Sequence, residues 1–208
     1  MGELQSLRAW RAIVVPYVLS RFLTVATLVT TRHVFTTLHL AEPSALHGRS
    51  GGLLGWDASW YRDIASSGYS GVAKEGLRFF PLLPMLGRVV SWLPGVDAGL
   101  AVLIVVNVAA LAAGFVVYEL AVQERHDPDI ARRAVWILFL VPPAYVLMMG
   151  YAEALFILFS AISLLALRRR WWLVAIAAGA LAALARPVGA LLAFPIAIEG
   201  WRARRYEM

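Results

Sequence analysis

Long apolar runs, separated by short stretches that contain arginine, make up most of the chain. Sustained runs of this kind form helices that cross a bilayer. We predict such helices at residues 12–31, 98–121, 134–149 and 152–167. Pro142 and Pro143 interrupt the third run, and we expect them to loosen its outer half because proline removes a helical hydrogen bond.

The apolar stretch 171–200 is predicted to fold as two helices. A single helix of this length would measure about 45 Å, against a hydrocarbon core of about 30 Å. The sequence Arg186-Pro187-Val188-Gly189 supplies the break, because the residue before a proline is disfavoured in a helix. Two short helices meeting there leave Arg186 near the outer surface at membrane depth, and an arginine in that position marks a functional candidate.

Arginine clusters predict how these helices are oriented in the membrane. The clusters lie near residues 8–11, 125–133, 168–170 and 202–205. Cytoplasmic loops carry the excess of arginine and lysine, so all four clusters and both termini are expected inside. The loop 32–97 is then external. The outline has about six membrane segments, and residues 1–208 form a single integral membrane domain.

The composition favours an all-α, polytopic helical membrane protein. Hydrophobic residues make up 61% of the 208 positions and charged residues 15%, against about 25% charged in a soluble domain. The net charge of +6 comes from the arginine clusters and does not indicate nucleic-acid binding. The absence of cysteine excludes disulfides and thiolate metal sites. The single lysine and the richness in alanine and leucine favour a bacterial source, and hence the bacterial cytoplasmic membrane.

The external loop contains a short amphipathic stretch, Trp56–Ala65. At 100° per residue, Trp60, Tyr61 and Ile64 share one face of a helix with Trp56. Arg62, Ser66 and Ser59 occupy the opposite face. We predict a helix lying in the membrane interface, ended by Gly68. A second interfacial helix is expected at 85–93, and Asp97 is predicted to cap the span that follows.

Asp57 departs from this amphipathic pattern, because it lies inside the apolar arc. A carboxylate directed at hydrocarbon or protein is costly, and such residues are functional candidates by default. Asp57 could act as a general base or bind a cationic group. Alternatively it could be the N-cap of the helix, since aspartate is a favoured cap. The sequence leaves both interpretations open.

Other polar residues have weaker patterns. Arg21, inside the first span, either snorkels or pairs within the helix bundle, or it contacts a lipid phosphate. The spacing of His33, His39 and His47 is a weak metal pattern, and we expect solvated or interfacial histidines. Asp63 lies on the polar arc and is expected to be solvated. No nucleotide-binding motif is present, and no cofactor is expected.

The outer face gathers carboxylates, arginines and tyrosines. These residues are Asp57, Tyr61, Arg62, Asp63, Arg78, Tyr151, Glu153 and Arg186. Carboxylates can accept protons and arginines can bind phosphate. Their combination suits transfer from a lipid-phosphate donor at the outer leaflet.

Four segments in order resemble the GPI mannosyltransferase 2 (PIG-V) family. They are Trp56-Asp57-x-x-Trp60-Tyr61, Phe79-Phe80-Pro81-Leu82-Leu83-Pro84, Tyr151-Ala152-Glu153-Ala154-Leu155-Phe156 and Ala185-Arg186-Pro187-Val188-Gly189. The last has proline and valine where the family has serine and asparagine. The resemblance implies a GT-C glycosyltransferase fold and a polyprenyl-phosphate sugar donor, used by a membrane mannosyltransferase.

By this resemblance Asp57 is the catalytic-base candidate, and Arg186 and Glu153 are expected to bind donor or acceptor. Trp60, Tyr61, Arg62 and Arg78 complete the expected substrate-binding set. The acceptor, whether glycan, glycolipid or protein, is left open. The chain has fewer spans than such enzymes usually have, so we expect it to correspond to the N-terminal part of a GT-C module. The alternative is a non-enzymatic membrane protein, such as a transporter fragment or scaffold subunit.

Overall fold

The computed structural model describes residues 3–39 and 51–206, with side chains described for 9–39 and 51–204. Within these ranges the chain is helical and contains no strand. His47, named above in the weak metal pattern, lies outside the described residues.

The described residues form eight α-helices and several 3-10 segments. The helices are α1 (Glu3–Thr37), α2 (Asp57–Ser67), α3 (Leu82–Val90), α4 (Ala98–Arg125), α5 (Pro128–Leu140), α6 (Glu153–Arg168), α7 (Trp172–Ala185) and α8 (Ala193–Tyr206). The 3-10 segments are Gly52–Leu54, Tyr69–Gly71, Lys74–Arg78, Pro142–Leu147 and Pro187–Leu192.

Two of the segments, Ala9–Thr37 and Ala98–Arg125, are long and apolar enough to cross a membrane. They contain the predicted first and second spans. The predicted start of the outer loop at residue 32 was wrong, because α1 continues to Thr37. Its last turns contain no helix breaker, and the Thr36 hydroxyl bonds back to the Arg32 carbonyl at 2.8 Å.

Helix α4 lies at the centre of the bundle, in contact with α1, α2, α3, α5 and α6. Small residues on α4 permit this close packing. Ala101, Ala110 and Ala113 are buried, and a Cβ on Gly114 would meet the Phe139 ring of α5 at 2.9 Å. The side chain of Asp97 accepts a hydrogen bond from the Leu100 amide, which confirms the predicted N-cap.

The helix break at Pro142 is stabilised by polar side chains from α1 and α4. Arg21 donates to the Leu147 carbonyl at 2.8 Å and to Asn107 Oδ1 at 3.1 Å. Asn107 in turn donates to the Met148 carbonyl at 3.2 Å. Carbonyls at a helix break lack intrahelical partners, so these bonds stabilise the turn that leads to α6. Of the two interpretations of Arg21, the structure shows pairing within the bundle.

The predicted break between residues 171 and 200 is also present. Helix α7 ends at Ala185, and α8 begins only after the 3-10 segment Pro187–Leu192. A Cβ on Gly189 would overlap the backbone carbonyl group of Ala182. Glycine therefore permits the chain to fold back against the last turn of α7.

The amphipathic helix α2 packs on α3 and α4, and Gly68 follows its last residue as predicted. Its buried face differs from the predicted one. Ser59, assigned to the polar side, is fully buried, whereas Trp56 is 73% exposed. The Ser59 hydroxyl donates to the Trp56 carbonyl at 2.7 Å, so its polar atom is satisfied inside the fold. Helix α3 begins three residues earlier than the predicted 85–93, directly after Pro81.

Candidate active site

Asp57 is the first residue of α2 and is exposed. The cap position belongs to Trp56, whose φ of 58° and ψ of −127° are not helical. No side-chain capping bond occurs at this helix start. The N-cap interpretation of Asp57 is therefore not supported, and its carboxylate lies at the positive end of the α2 dipole.

Tyr151 lies beside Asp57, in the turn before α6. Burial raises the pKa of the Tyr151 hydroxyl to about 12, and the Asp57 carboxylate adds to the rise. A backbone hydrogen bond with Asp57 acts on this pKa in the opposite direction. The Tyr151 hydroxyl therefore remains protonated at neutral pH, and it can donate a hydrogen bond next to the Asp57 carboxylate.

Gly150 explains why these two residues approach each other. Its amide donates to the Leu53 carbonyl at 3.0 Å, which joins the turn before α6 to the segment before α2. A Cβ on Gly150 would lie 3.0 Å from both Ala58 Cβ and Val102 Cγ1. A larger residue would push this turn away from the first turn of α2.

Glu153 and Arg186 form an ion pair across the site. Glu153 is the first residue of α6, and Arg186 occupies the break after α7 in an extended conformation. The side chains are 28% and 42% exposed, so a ligand can reach both. The structure thus brings together two residues that the sequence analysis assigned to substrate binding.

The hydroxyl of Tyr61 lies within electrostatic range of this ion pair and of Asp57. Burial is the largest cause of its raised pKa, followed by the negative charge of Glu153. Arg186 lowers the pKa and Asp57 raises it by smaller amounts. Such interactions need short separations, so the charges of all three residues act on one hydroxyl. We call Asp57, Tyr61, Tyr151, Glu153 and Arg186 the acid–arginine cluster.

Three other expected substrate-binding residues make different contacts. Arg62 pairs with Asp63 at 2.7 Å, so Asp63 is ion-paired as well as partly solvated. Trp60 stacks on Phe79, with ring centroids 5.8 Å apart, and contributes to the packing of α2 against the segment before α3. Arg78 is exposed, and its guanidinium carbon lies 5.5 Å from the Phe79 ring centroid. The stacking on Phe79 gives Trp60 a structural role.

Arg88 is a residue that the sequence analysis did not identify. From α3 it donates to the Ala65 carbonyl at 2.9 Å and to the Ile64 carbonyl at 3.4 Å. These carbonyls belong to the last turn of α2, where a cation also interacts favourably with the helix dipole. The sequence signal that could have identified Arg88 is a single charge on the otherwise apolar helix α3. Arg88 therefore fastens the C-terminal part of α2 to α3.

The cluster combines carboxylates with a guanidinium. A carboxylate, a neutral phenol and a paired guanidinium can deprotonate a hydroxyl and stabilise a phosphate leaving group. Within the described residues, no group of three or more His, Asp or Glu could hold a metal ion. His33 lies in α1 and His39 follows the end of that helix.

Comparisons with known proteins test the resemblance to a glycosyltransferase family. A family model described as Mannosyltransferase (PIG-V) matches residues 11–195, which include every residue of the acid–arginine cluster. No match was found among curated proteins or solved structures. The match covers most of the chain and confirms the predicted family. The chain belongs to the PIG-V mannosyltransferase family.

Proposed function

We propose that the chain is a polytopic mannosyltransferase of the GT-C type in the bacterial cytoplasmic membrane. It transfers mannose from a polyprenyl-phosphate donor to an acceptor hydroxyl at the outer face. The observation that supports this proposal is the acid–arginine cluster, in which the Glu153–Arg186 pair and the Asp57 carboxylate act on one hydroxyl, that of Tyr61. Family membership supplies the reaction class, and the cluster supplies residues suited to each step.

The proposed topology has both termini in the cytoplasm and about six membrane segments. Among the described residues, two helices have the length and apolarity of spans. Helix α5 is shorter and is followed by a 3-10 segment, and another 3-10 segment joins α7 to α8. Arginines lie at the ends of helices opposite to the cluster, as in Arg125 at the end of α4 and Arg168 at the end of α6. The cluster then lies at the outer side.

The proposed reaction inverts the anomeric carbon of mannose in a single displacement. The Asp57 carboxylate accepts the proton of the acceptor hydroxyl, whose oxygen forms the new bond to the anomeric carbon. The bond between that carbon and the phosphate oxygen breaks, and its electron pair leaves with the polyprenyl phosphate. Arg186 stabilises the negative charge that develops there, because a guanidinium binds two phosphate oxygens at once.

Glu153 and the tyrosines prepare the cluster for this step. Glu153 holds the Arg186 guanidinium at the site before the donor binds. Tyr151, kept neutral by burial and by Asp57, can donate to a sugar hydroxyl. Neither residue needs to change protonation during the transfer.

The alternative is a non-enzymatic membrane protein, either a transporter fragment or a scaffold subunit. A transporter would gather its polar residues near the bilayer midplane between repeated helices. The acid–arginine cluster instead forms at helix ends: Asp57 begins α2, Glu153 begins α6, and Arg186 follows the end of α7. This position favours an enzyme at the membrane interface.

Transfer of radiolabelled mannose tests the proposal. Membranes of the source bacterium that lack the native gene supply the acceptor, and the full chain is restored by expression. We expect Asp57→Asn to reduce transfer by about 10²–10⁴-fold, the usual contribution of a general base. Asp97→Asn is the matched control, because asparagine also caps α4. Wild-type levels of transfer by Asp57→Asn would remove Asp57 from the mechanism, and no transfer by the wild type would refute the function.

A further inference from the structure

A groove of about 980 Å³ adjoins the acid–arginine cluster. It is bounded by the second half of α1, the segment before α2 and the broken segment after α5. Its lining includes Leu23, Thr27, Arg32, Phe139, Val141 and Tyr151. This volume lies near the upper end of the range for ligand pockets. Tyr151 belongs to both the groove and the cluster, so an occupant of the groove would end at the candidate active site.

The side of the groove formed by α1 is more apolar than its threonines indicate. The Thr24 hydroxyl donates to the Ser20 carbonyl, and the Thr27 hydroxyl donates to the Leu23 carbonyl, both at 2.8 Å. Because these hydroxyls bond to the backbone of their own helix, the methyl groups remain available to an occupant. Leu23 and Phe139 continue the same apolar surface.

Arg32 is the cation that lines this groove. Its side chain is exposed, and within the described parts of the chain no hydrogen bond or ion pair involves its guanidinium. Arg21, on the same helix, is satisfied instead by Asn107, Ser20 and the Leu147 carbonyl. Arg32 lies near the end of α1, on the side of the molecule where the proposed topology places the outer leaflet.

We propose that this groove binds the isoprenoid chain of a polyprenyl monophosphate and that Arg32 binds its phosphate. The inference rests on the proposed function and adds the binding site for the lipid part of the donor. The apolar lining matches the chain, and the exposed guanidinium matches the phosphate in charge and geometry. Arg32 acts in donor binding, whereas Arg186 acts on the charge that develops during transfer.

This division of roles predicts different kinetic effects. Arg32→Gln raises the KM for the donor more than it lowers kcat, because the contact with the phosphate is already made in the ground state. Arg186→Gln lowers kcat. Equal effects of Arg32→Gln on kcat and on kcat/KM would contradict a pure binding role.

Direct binding tests the site without sugar transfer. The purified full chain in nanodiscs is titrated with radiolabelled polyprenyl phosphate that carries no mannose. We expect Arg32→Gln to weaken binding by about ten-fold or more, as for loss of a charged hydrogen bond, and Arg32→Lys to weaken it less. Lys74→Gln removes an exposed cation that does not line the groove and should bind like the wild type.

Two further measurements identify which part of the ligand is recognised. Thr27→Trp should fill the groove and reduce polyprenyl phosphate binding while Arg32 is retained. Inorganic phosphate, added at concentrations at which polyprenyl phosphate saturates its site, should not displace the bound lipid. Displacement by inorganic phosphate would overturn the lipid assignment. Wild-type affinity of Arg32→Gln would overturn the proposal. Arg32-dependent lipid binding in a chain that transfers no mannose would support the groove and refute the function.

Discussion

The guanidinium of Arg186 is paired with the carboxylate of Glu153, although 33 positions separate them in the sequence. The pair joins the first residue of α6 to the break after α7. It keeps a cation at a partly exposed position where an unpaired arginine would be costly. A phosphate that binds Arg186 must share or replace the Glu153 carboxylate, so the pair can adjust to the charge of the bound ligand.

The first prediction concerns this pair. Arg186→Lys keeps the charge but loses the two-pronged geometry of the guanidinium, so we expect transfer to fall by about 10²–10³-fold. The exposed ion pair of Arg169 and Glu119 provides the control, since Arg169→Lys should leave transfer unchanged. Rates are measured in membranes with equal amounts of each variant.

A double-mutant cycle with Glu153→Gln extends the test. If the pair acts as a unit, the double variant should be about as slow as Arg186→Lys alone. Independent, multiplying effects of the two substitutions would show that Glu153 does not act through Arg186.

The second prediction concerns Gly189. Gly189→Ala places a Cβ against the Ala182 carbonyl group with no room for it, so the backbone must shift and move Arg186 away from Glu153. We expect the free energy of unfolding to fall by about 1–3 kcal/mol, as in overpacked cores, together with a loss of transfer. Thermal unfolding in detergent and mannose transfer are the measurements.

Gly200→Ala is the matched control for this substitution. A Cβ added at Gly200 would meet no atom within 4 Å, and alanine favours the helical conformation of α8. This variant should be at least as stable as the wild type. Wild-type stability of Gly189→Ala would contradict the close backbone contact.

The third prediction concerns the ionisation of Tyr151. Its pKa is about 12 in the folded chain, and an unfolded tyrosine titrates near 10. The folded state therefore resists losing this proton. The contribution of the protonated Tyr151 hydroxyl to the free energy of unfolding is fully present below pH 10 and is lost as the pH rises from 10 to about 12.

Thermal unfolding at a series of pH values measures this effect. Tyr151→Phe should lose stability less steeply than the wild type between pH 10 and 12, since it has no proton to release there. Identical curves for Tyr151→Phe and the wild type would show that the Tyr151 hydroxyl does not contribute.

The fourth prediction concerns topology. The chain has no cysteine, so single cysteines can be labelled without background. Ser70→Cys in the proposed outer loop should react with an impermeant thiol reagent on intact cells, and Asp129→Cys in the first turn of α5 should react only after lysis. Both positions are exposed. Labelling of position 129 but not position 70 on intact cells would reverse the proposed orientation.

The sequence by itself determined most of the helical framework. The apolar runs located α1 and α4, Asp97 marked the start of α4, and Pro187 marked the break between α7 and α8. These signals are local, because hydrophobic periodicity, capping and proline act within one or two helical turns. The four short motifs also sufficed to identify the family.

The tertiary structure decided which polar residues share a site. Arg186 meets Glu153 because α7 packs on α6, and Tyr151 reaches Asp57 because Gly150 packs against α2. The pattern of α2 alone put Ser59 on the polar side, whereas packing against α3 and α4 buries it. Helical periodicity describes one helix at a time, but the environment of a side chain depends on the neighbours that the whole fold places around it.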